Sequence, residues 1–129
     1  MSVEVLNESG IDLDITEFVR LARFTLKRLR VHPEAELCLK LVDEPTIAEF
    51  NVRYLGKSGP TDVLSFPIDG VGPAAGPREL GDVVICREHT TDLVEAVVHG
   101  VLHLCGYDHE TDDGEMLALQ DRVVDGLRA

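Results

Sequence analysis

The spacing of apolar residues along the chain changes period several times, and each change predicts an element. Ile15, Phe18, Val19, Ala22, Leu26 and Leu29 recur at helical spacing, and Asp14 with Glu17 three residues later is the capping signature that starts such a helix. Pro33 stops it. Over residues 35–42 the period becomes two: Leu37, Leu39 and Leu41 alternate with Glu36, Cys38 and Lys40, as in a strand with one buried face. Residues 3–8 predict a short strand ahead of the first helix. Pro45 opens a second helix with Ile47, Phe50 and Tyr54 turned inward, and Gly56 closes it. Residues 61–68 read as a third strand with Leu64, Phe66 and Ile68 on one face, where Pro67 marks a sheet edge or a strand end. The Gly- and Pro-rich residues 69–80 predict a mobile loop, and 81–87 a fourth strand. A helix over 91–105 is stopped by Gly106, and a last helix over 112–127 puts Met116, Gln120, Val123 and Leu127 on one side. The order βαβαββαα predicts an α+β fold, a four-stranded mixed sheet packed with about four helices.

Composition narrows the setting. A chain of 129 residues without internal repeat or linker suits a single domain over 1–129, and 44% hydrophobic with 28% charged residues excludes disorder as the main state. No apolar run approaches the ~18 residues of a membrane span, and the acidic N-terminus lacks the order of a signal peptide. A cytoplasmic protein with no membrane partner is expected. Cys38, Cys86 and Cys105 are odd in number, lack CxxC spacing and sit in apolar runs, so they read as core thiols.

Twelve basic against 24 acidic residues give a net charge of −12, which excludes coating nucleic acid with the whole surface. Arg20, Arg23, Lys27, Arg28 and Arg30 cluster in the first helix, whereas no Lys or Arg lies between Glu88 and Asp121. The stripe Arg20, Arg23, Lys27 and Arg30 reads equally as a solvated face or an RNA contact.

Candidate chemistry is concentrated in His99-Gly100-Val101-Leu102-His103-Leu104-Cys105-Gly106-Tyr107-Asp108-His109. His99 and His103 are four apart, so a helix projects both imidazoles from one face. Gly106 lets the chain turn back and bring His109 to the same point. Three neutral imidazoles leave a fourth position open on a tetrahedral ion, the arrangement of catalytic rather than structural zinc. Apolar residues 93–104 surround the helix, so unligated imidazoles inside it would be costly. One zinc per chain on His99, His103 and His109 is therefore expected, with Asp108 or Asp112 as candidate orienting groups. The spacing is that of metzincin proteases, but their general base, a Glu directly after the first His, is here Gly100, and no Met-turn is available.

The segment 99–109, the strand Thr61-Asp62-Val63-Leu64-Ser65-Phe66-Pro67 and the strand Leu80-Gly81-Asp82-Val83 together resemble, in order, the three motifs of the YbeY endoribonuclease family, the ribosomal RNA maturation factors. The resemblance spans about residues 40–127. It implies a zincin-like domain, zinc on His99, His103 and His109, and cleavage of single-stranded RNA, not DNA, in ribosomal RNA maturation and ribosome quality control. The implied partners are ribosomal RNA and the ribosome or its small subunit with associated factors. His99 would then serve both as ligand and in catalysis. Two features depart from the family pattern. The arginine that follows the Tyr of the second helix is Leu55 here, with Arg53 the nearby candidate for its charge, and the stretch 87–98 before the histidine helix is short. Two alternatives remain: a metalloprotease or other metallohydrolase, and a non-catalytic, zinc-stabilised ribosome-associated module.

Overall fold

The computed structural model describes residues 2–31, 33–68 and 79–129. The elements follow the predicted order: β1 (Ser2–Asn7), α1 (Ile15–Arg28), β2 (Glu36–Leu41), α2 (Glu44–Leu55), β3 (Val63–Pro67), β4 (Glu79–Ile85), α3 (Leu93–Leu104) and α4 (Glu115–Arg128), with a 3-10 turn at Arg87–His89. The sheet order is β1-β2-β4-β3. β1, β2 and β4 run parallel, and β3 is antiparallel to β4, so the sheet is mixed and the class is α+β as expected. Pro67 ends the edge strand β3, where its missing N–H breaks no interior ladder.

Aspartates start three helices. Asp14, Asp43 and Asp92 accept hydrogen bonds from the backbone N–H of Glu17, Thr46 and Glu95, each satisfying a donor that has no partner within the helix. Leu37, Leu39 and Leu41 are buried and join Phe18, Leu21 and Leu26 of α1 with Val97, Val101 and Leu104 of α3 in the main core. Val84 points away from its neighbours Val83 and Ile85, and packs with Leu64, Cys86 and Ile47 of α2 in a smaller cluster on the opposite face.

α3 is central, touching α1, α4, β3 and β4. At about 100° per residue its sides divide the labour. Val97, Val101 and Leu104 enter the main core, while Val98 and Leu102 pack on Met116, Val123 and Val124 of α4. Gly100 meets the sheet: a Cβ there would lie 2.5 Å from Val83 Cγ1 and 3.0 Å from Val63 Cγ2. The side left over carries His99 and His103.

Several boundaries differ from the expectation. β4 starts two residues early, at Glu79, because Leu80 accepts from Ile68 N–H, and it ends at Ile85 where its pairing with Leu41 of β2 ends. Arg87, expected in the strand, opens the 3-10 turn instead. α3 begins after Asp92 rather than at Thr91. α4 begins at Glu115, since Gly114 takes a left-handed conformation and Asp112 accepts from the Gly114 and Met116 N–H groups ahead of the helix. Tyr54 is not inward; it is 57% exposed and meets Phe66 edge-on at 5.3 Å, because α2 covers only a corner of its sheet face. Ile68 is likewise 55% exposed, beyond the end of β3. Residues 69–78 of the expected loop lie outside the described residues.

The cysteines are not joined to one another. Only Cys86 is fully buried, whereas Cys38 and Cys105 are half-buried, so the core reading holds in full for Cys86 alone; burial pushes the Cys38 and Cys86 thiols up, away from the reactive thiolate form.

Candidate metal centre

The last turn of α3 builds the site. Cys105 caps the helix, Gly106 follows at φ 99°, Gly106 N–H donates to His103 O and Tyr107 N–H donates to Leu102 O. This paired closure needs a left-handed residue at position 106, which glycine supplies without Cβ strain. The reversed chain is then held by Asp108, whose carboxylate accepts from Glu110 N–H and whose carbonyl accepts from Thr111 and Asp112 N–H. His109 is thereby set against α3.

One ring nitrogen from each of His99, His103 and His109 falls in a group whose members lie within 4.8 Å of one another. The rings are 4.7 to 5.2 Å apart between centroids. His99 Nε2 and His103 Nε2 face each other at 3.1 Å. Two nitrogens bound at about 2.0–2.1 Å to one tetrahedral ion lie about 3.3 Å apart, so this pair matches the spacing that zinc imposes. His109 Nδ1 is buried without a hydrogen-bond partner, and an orphaned polar atom of this kind costs about 1–3 kcal/mol. Burial, followed by the neighbouring His99 and His109, pushes the His103 pKa down, partly opposed by a hydrogen bond to the Tyr107 backbone. The neutral, ligating form of His103 is favoured as a result. On donor type and spacing, the three residues fit a divalent cation.

All three histidines are half-buried rather than enclosed, because the side of α3 that carries them is the one left uncovered by core and α4. Two clefts meet there. One is lined by Leu55, Lys57, Ser65, His103, Asp108 and His109, between α3 and the α2–β3 segment. The other is lined by Asp62, Asp92, Glu95, His99, His109 and Gln120. His109 belongs to both.

Other candidates fall into place around them. Arg53 is exposed in the last turn of α2 and lines neither cleft, whereas Leu55 lines the first. Ser65 Oγ donates to Gly100 O at 2.9 Å, tying β3 to α3. Asp62 accepts from the Val63 N–H and the Thr61 hydroxyl at the start of β3. Asp112 is engaged in the α4 start, and the group that meets His99 is Gln120, whose Oε1 lies 2.7 Å from His99 Nδ1. The sequence signal for Gln120 was its place as the single polar member of the α4 stripe with Met116, Val123 and Leu127. Of the basic stripe, Arg20 is paired with Glu17, and Arg30 lies beyond the end of α1 at φ 56°.

Residues 6–128 match the family described as Endoribonuclease YbeY. The chain belongs to the YbeY endoribonuclease family. A relative named Endoribonuclease YbeY from Nocardioides sp. is 47% identical, with 100% of this chain and 99% of that one covered. Another of that name, from Acidothermus cellulolyticus, is 43% identical over 100% and 93%. The Nocardioides YbeY aligns over 148 positions although this chain has 129 residues, so it carries inserted residues that this chain lacks. Among solved structures, the solution structure of TM1509 from Thermotoga maritima superposes with a TM-score of 0.54 at 26% identity, covering 95% of this chain and 87% of that one. The fold is thus that of the YbeY family. Among the described residues no helix is long and apolar enough to cross a membrane.

Proposed function

We propose that the chain is a metal-dependent endoribonuclease that cleaves single-stranded RNA in ribosomal RNA maturation, with one zinc held by His99, His103 and His109. The observation that carries this reading is the convergence of three imidazoles, within 4.8 Å of one another, where two clefts meet in a YbeY-family chain. When bound, a divalent ion supplies Lewis-acid polarisation of a phosphoryl oxygen and lowers the pKa of a water. The protein's part is to hold the three imidazoles in place and to bring the RNA backbone beside them.

Charge separates the two clefts. The cleft of Asp62, Asp92 and Glu95 is lined by carboxylates without a cation, whereas the cleft between α3 and the α2–β3 segment sets Lys57 on the wall opposite Asp108 and Glu110. In this reading the RNA backbone enters along the Lys57 wall, with Lys57 as a point charge for a phosphate and Asp108 and Glu110 kept to the opposite side. Asn51 Nδ2 donates to Gly59 O at 3.0 Å and holds the segment that presents Lys57. Leu55 contributes no charge to that wall. Arg53 enters the reading as a charge on the outer side of α2, to be tested by its removal. Family resemblance extends the proposal to the cytoplasm, to the ribosome or its small subunit with associated factors, and to ribosome quality control.

The protease alternative is weakened by more than the missing base. A side chain at position 100 would meet Val83 and Val63 of the sheet instead of a cleft. Cleavage of single-stranded RNA that chelator abolishes and zinc restores, with casein left intact, is the expected result. Chelator-sensitive digestion of casein would favour the protease, and stoichiometric zinc with neither activity the non-catalytic module.

A further inference from the structure

Gln120 is 4% exposed in a contact between α3 and α4 that is otherwise made by Val98, Leu102, Met116 and Val123. A buried amide without partners costs about 1–3 kcal/mol. Here both ends are satisfied by residues of α3 one turn apart: Oε1 lies 2.7 Å from His99 Nδ1, and Nε2 donates to Glu95 Oε1 at 3.2 Å. We propose that Glu95 and Gln120 form a relay that selects the ring tautomer of His99 and thereby aims its Nε2 lone pair into the histidine cluster.

The argument is one of donors and acceptors. An amide side chain has nearly the same shape in either of its two flipped orientations, so packing alone does not choose between them. A carboxylate only accepts, so Glu95 draws the NH2 end of Gln120 to itself and leaves the carbonyl facing His99. A carbonyl also only accepts, so the proton of neutral His99 resides on Nδ1 and the lone pair on Nε2. Nε2 is the atom 3.1 Å from His103 Nε2. With the amide flipped, an N–H would face Nδ1 and favour the opposite tautomer, placing a proton where a cation is to be held. Gln120 and Glu95 are positioning residues in this scheme. The zinc arm of the test rests on the proposed function, but the tautomer arm does not.

Ring 15N shifts of His99 in the metal-free full chain report which nitrogen carries the proton. Zinc affinity is measured by competition with a chromophoric chelator for wild type, Gln120→Leu, Glu95→Gln and the double variant, with melting temperatures recorded for each. The wild type is expected to carry the His99 proton on Nδ1. Gln120→Leu should lose that preference and weaken zinc binding about 10–100-fold. Glu95→Gln, at an exposed site, should shift both readouts the same way by a smaller factor and add nothing in the Gln120→Leu background, since it acts through Gln120. It carries the test by itself if Gln120→Leu does not fold. A wild-type His99 proton on Nε2, or a Glu95→Gln effect of equal size with and without Gln120, overturns the relay. Absence of zinc binding in a wild type whose His99 proton is on Nδ1 overturns the zinc reading and keeps the relay.

Discussion

The two walls of the Lys57 cleft are built to different standards. The histidine wall belongs to α3 and the turn after it; the other sides of α3 are buried against sheet, α1 and α4, so His99 and His103 inherit their positions from the main core, and the Asp108 turn sets His109 against them. Each fully buried Val or Leu there contributes roughly 1.5–3 kcal/mol, and no slide of the helix spares them. The opposing wall comes from α2 and the segment after it, where Val52, Tyr54 and Leu55 are exposed and the packing rests on Ile47 with a few partners. The candidate ligands thus sit on the rigid side and the proposed phosphate contact, Lys57, on the adaptable side. A rim residue can be exchanged with less disturbance than one held by the core, and Leu55 lies on that exposed rim.

The largest effect is expected on the rigid wall. His99→Ala, His103→Ala or His109→Ala should each reduce zinc from about one per chain to near zero and abolish chelator-sensitive cleavage, a loss beyond the 10–100-fold typical for an orienting group. Elemental analysis of the dialysed protein checks this. Retention of full zinc by any of the three would remove that residue from the site.

Next comes Gly100. Gly100→Ala drives a methyl to within 2.5 Å of Val83 Cγ1, and overpacking of this kind costs about 1–3 kcal/mol, read by urea denaturation of the metal-free chain. An unchanged midpoint would mean that α3 is free to shift, and the contrast between the walls would fail.

On the adaptable wall the effects should fall in rates and leave zinc content alone. Leu55→Arg, which places a cation on the cleft lining, is expected to raise single-turnover RNA cleavage by about tenfold, and Lys57→Gln to lower it by a similar factor, each about 1.4 kcal/mol. Arg53→Ala, on the outer side of α2, should change the rate less than about twofold. A large loss in Arg53→Ala with no gain in Leu55→Arg would show that α2 moves enough to bring Arg53 into the cleft.

The smallest effect lies at the start of α3. Asp92 caps that helix and pairs with Arg128 of α4, so Asp92→Ala should cost about 1 kcal/mol. Its hydrogen bond to Arg128, with the Glu95 backbone contact, lowers the Asp92 pKa below the usual 3.8. A depressed carboxyl stabilises the fold at pH above its unfolded value and loses that contribution as pH falls through the folded one. The stability gap between wild type and Asp92→Ala should therefore be constant near neutrality and shrink below pH 3.8. A gap that widens in acid would assign the cap another role.

Local order in the chain sufficed for the elements and for the convergence of the three histidines. The helical period from Ile15 to Leu29, the alternation of Leu37, Leu39 and Leu41, and two histidines four apart before a glycine are all short-range patterns, and short-range sterics and hydrogen bonding decide them. Boundaries set by partners were less legible. Glu79 enters β4 because Ile68 reaches Leu80, and α4 waits for Gly114 because Asp112 holds the preceding turn. Tyr54 fits an inward helical phase, yet it is exposed, since burial depends on what covers a face and α2 covers little. The choice between Leu55 and Arg53 as the residue facing the histidines, the closure of position 100 against Val83, and the reach of Gln120 from α4 to His99 each join residues 17 or more positions apart in the chain. No periodicity encodes such contacts. They exist only once the main core has locked α3 between the sheet and α4, because the interior is close-packed and leaves each of these side chains one place to go.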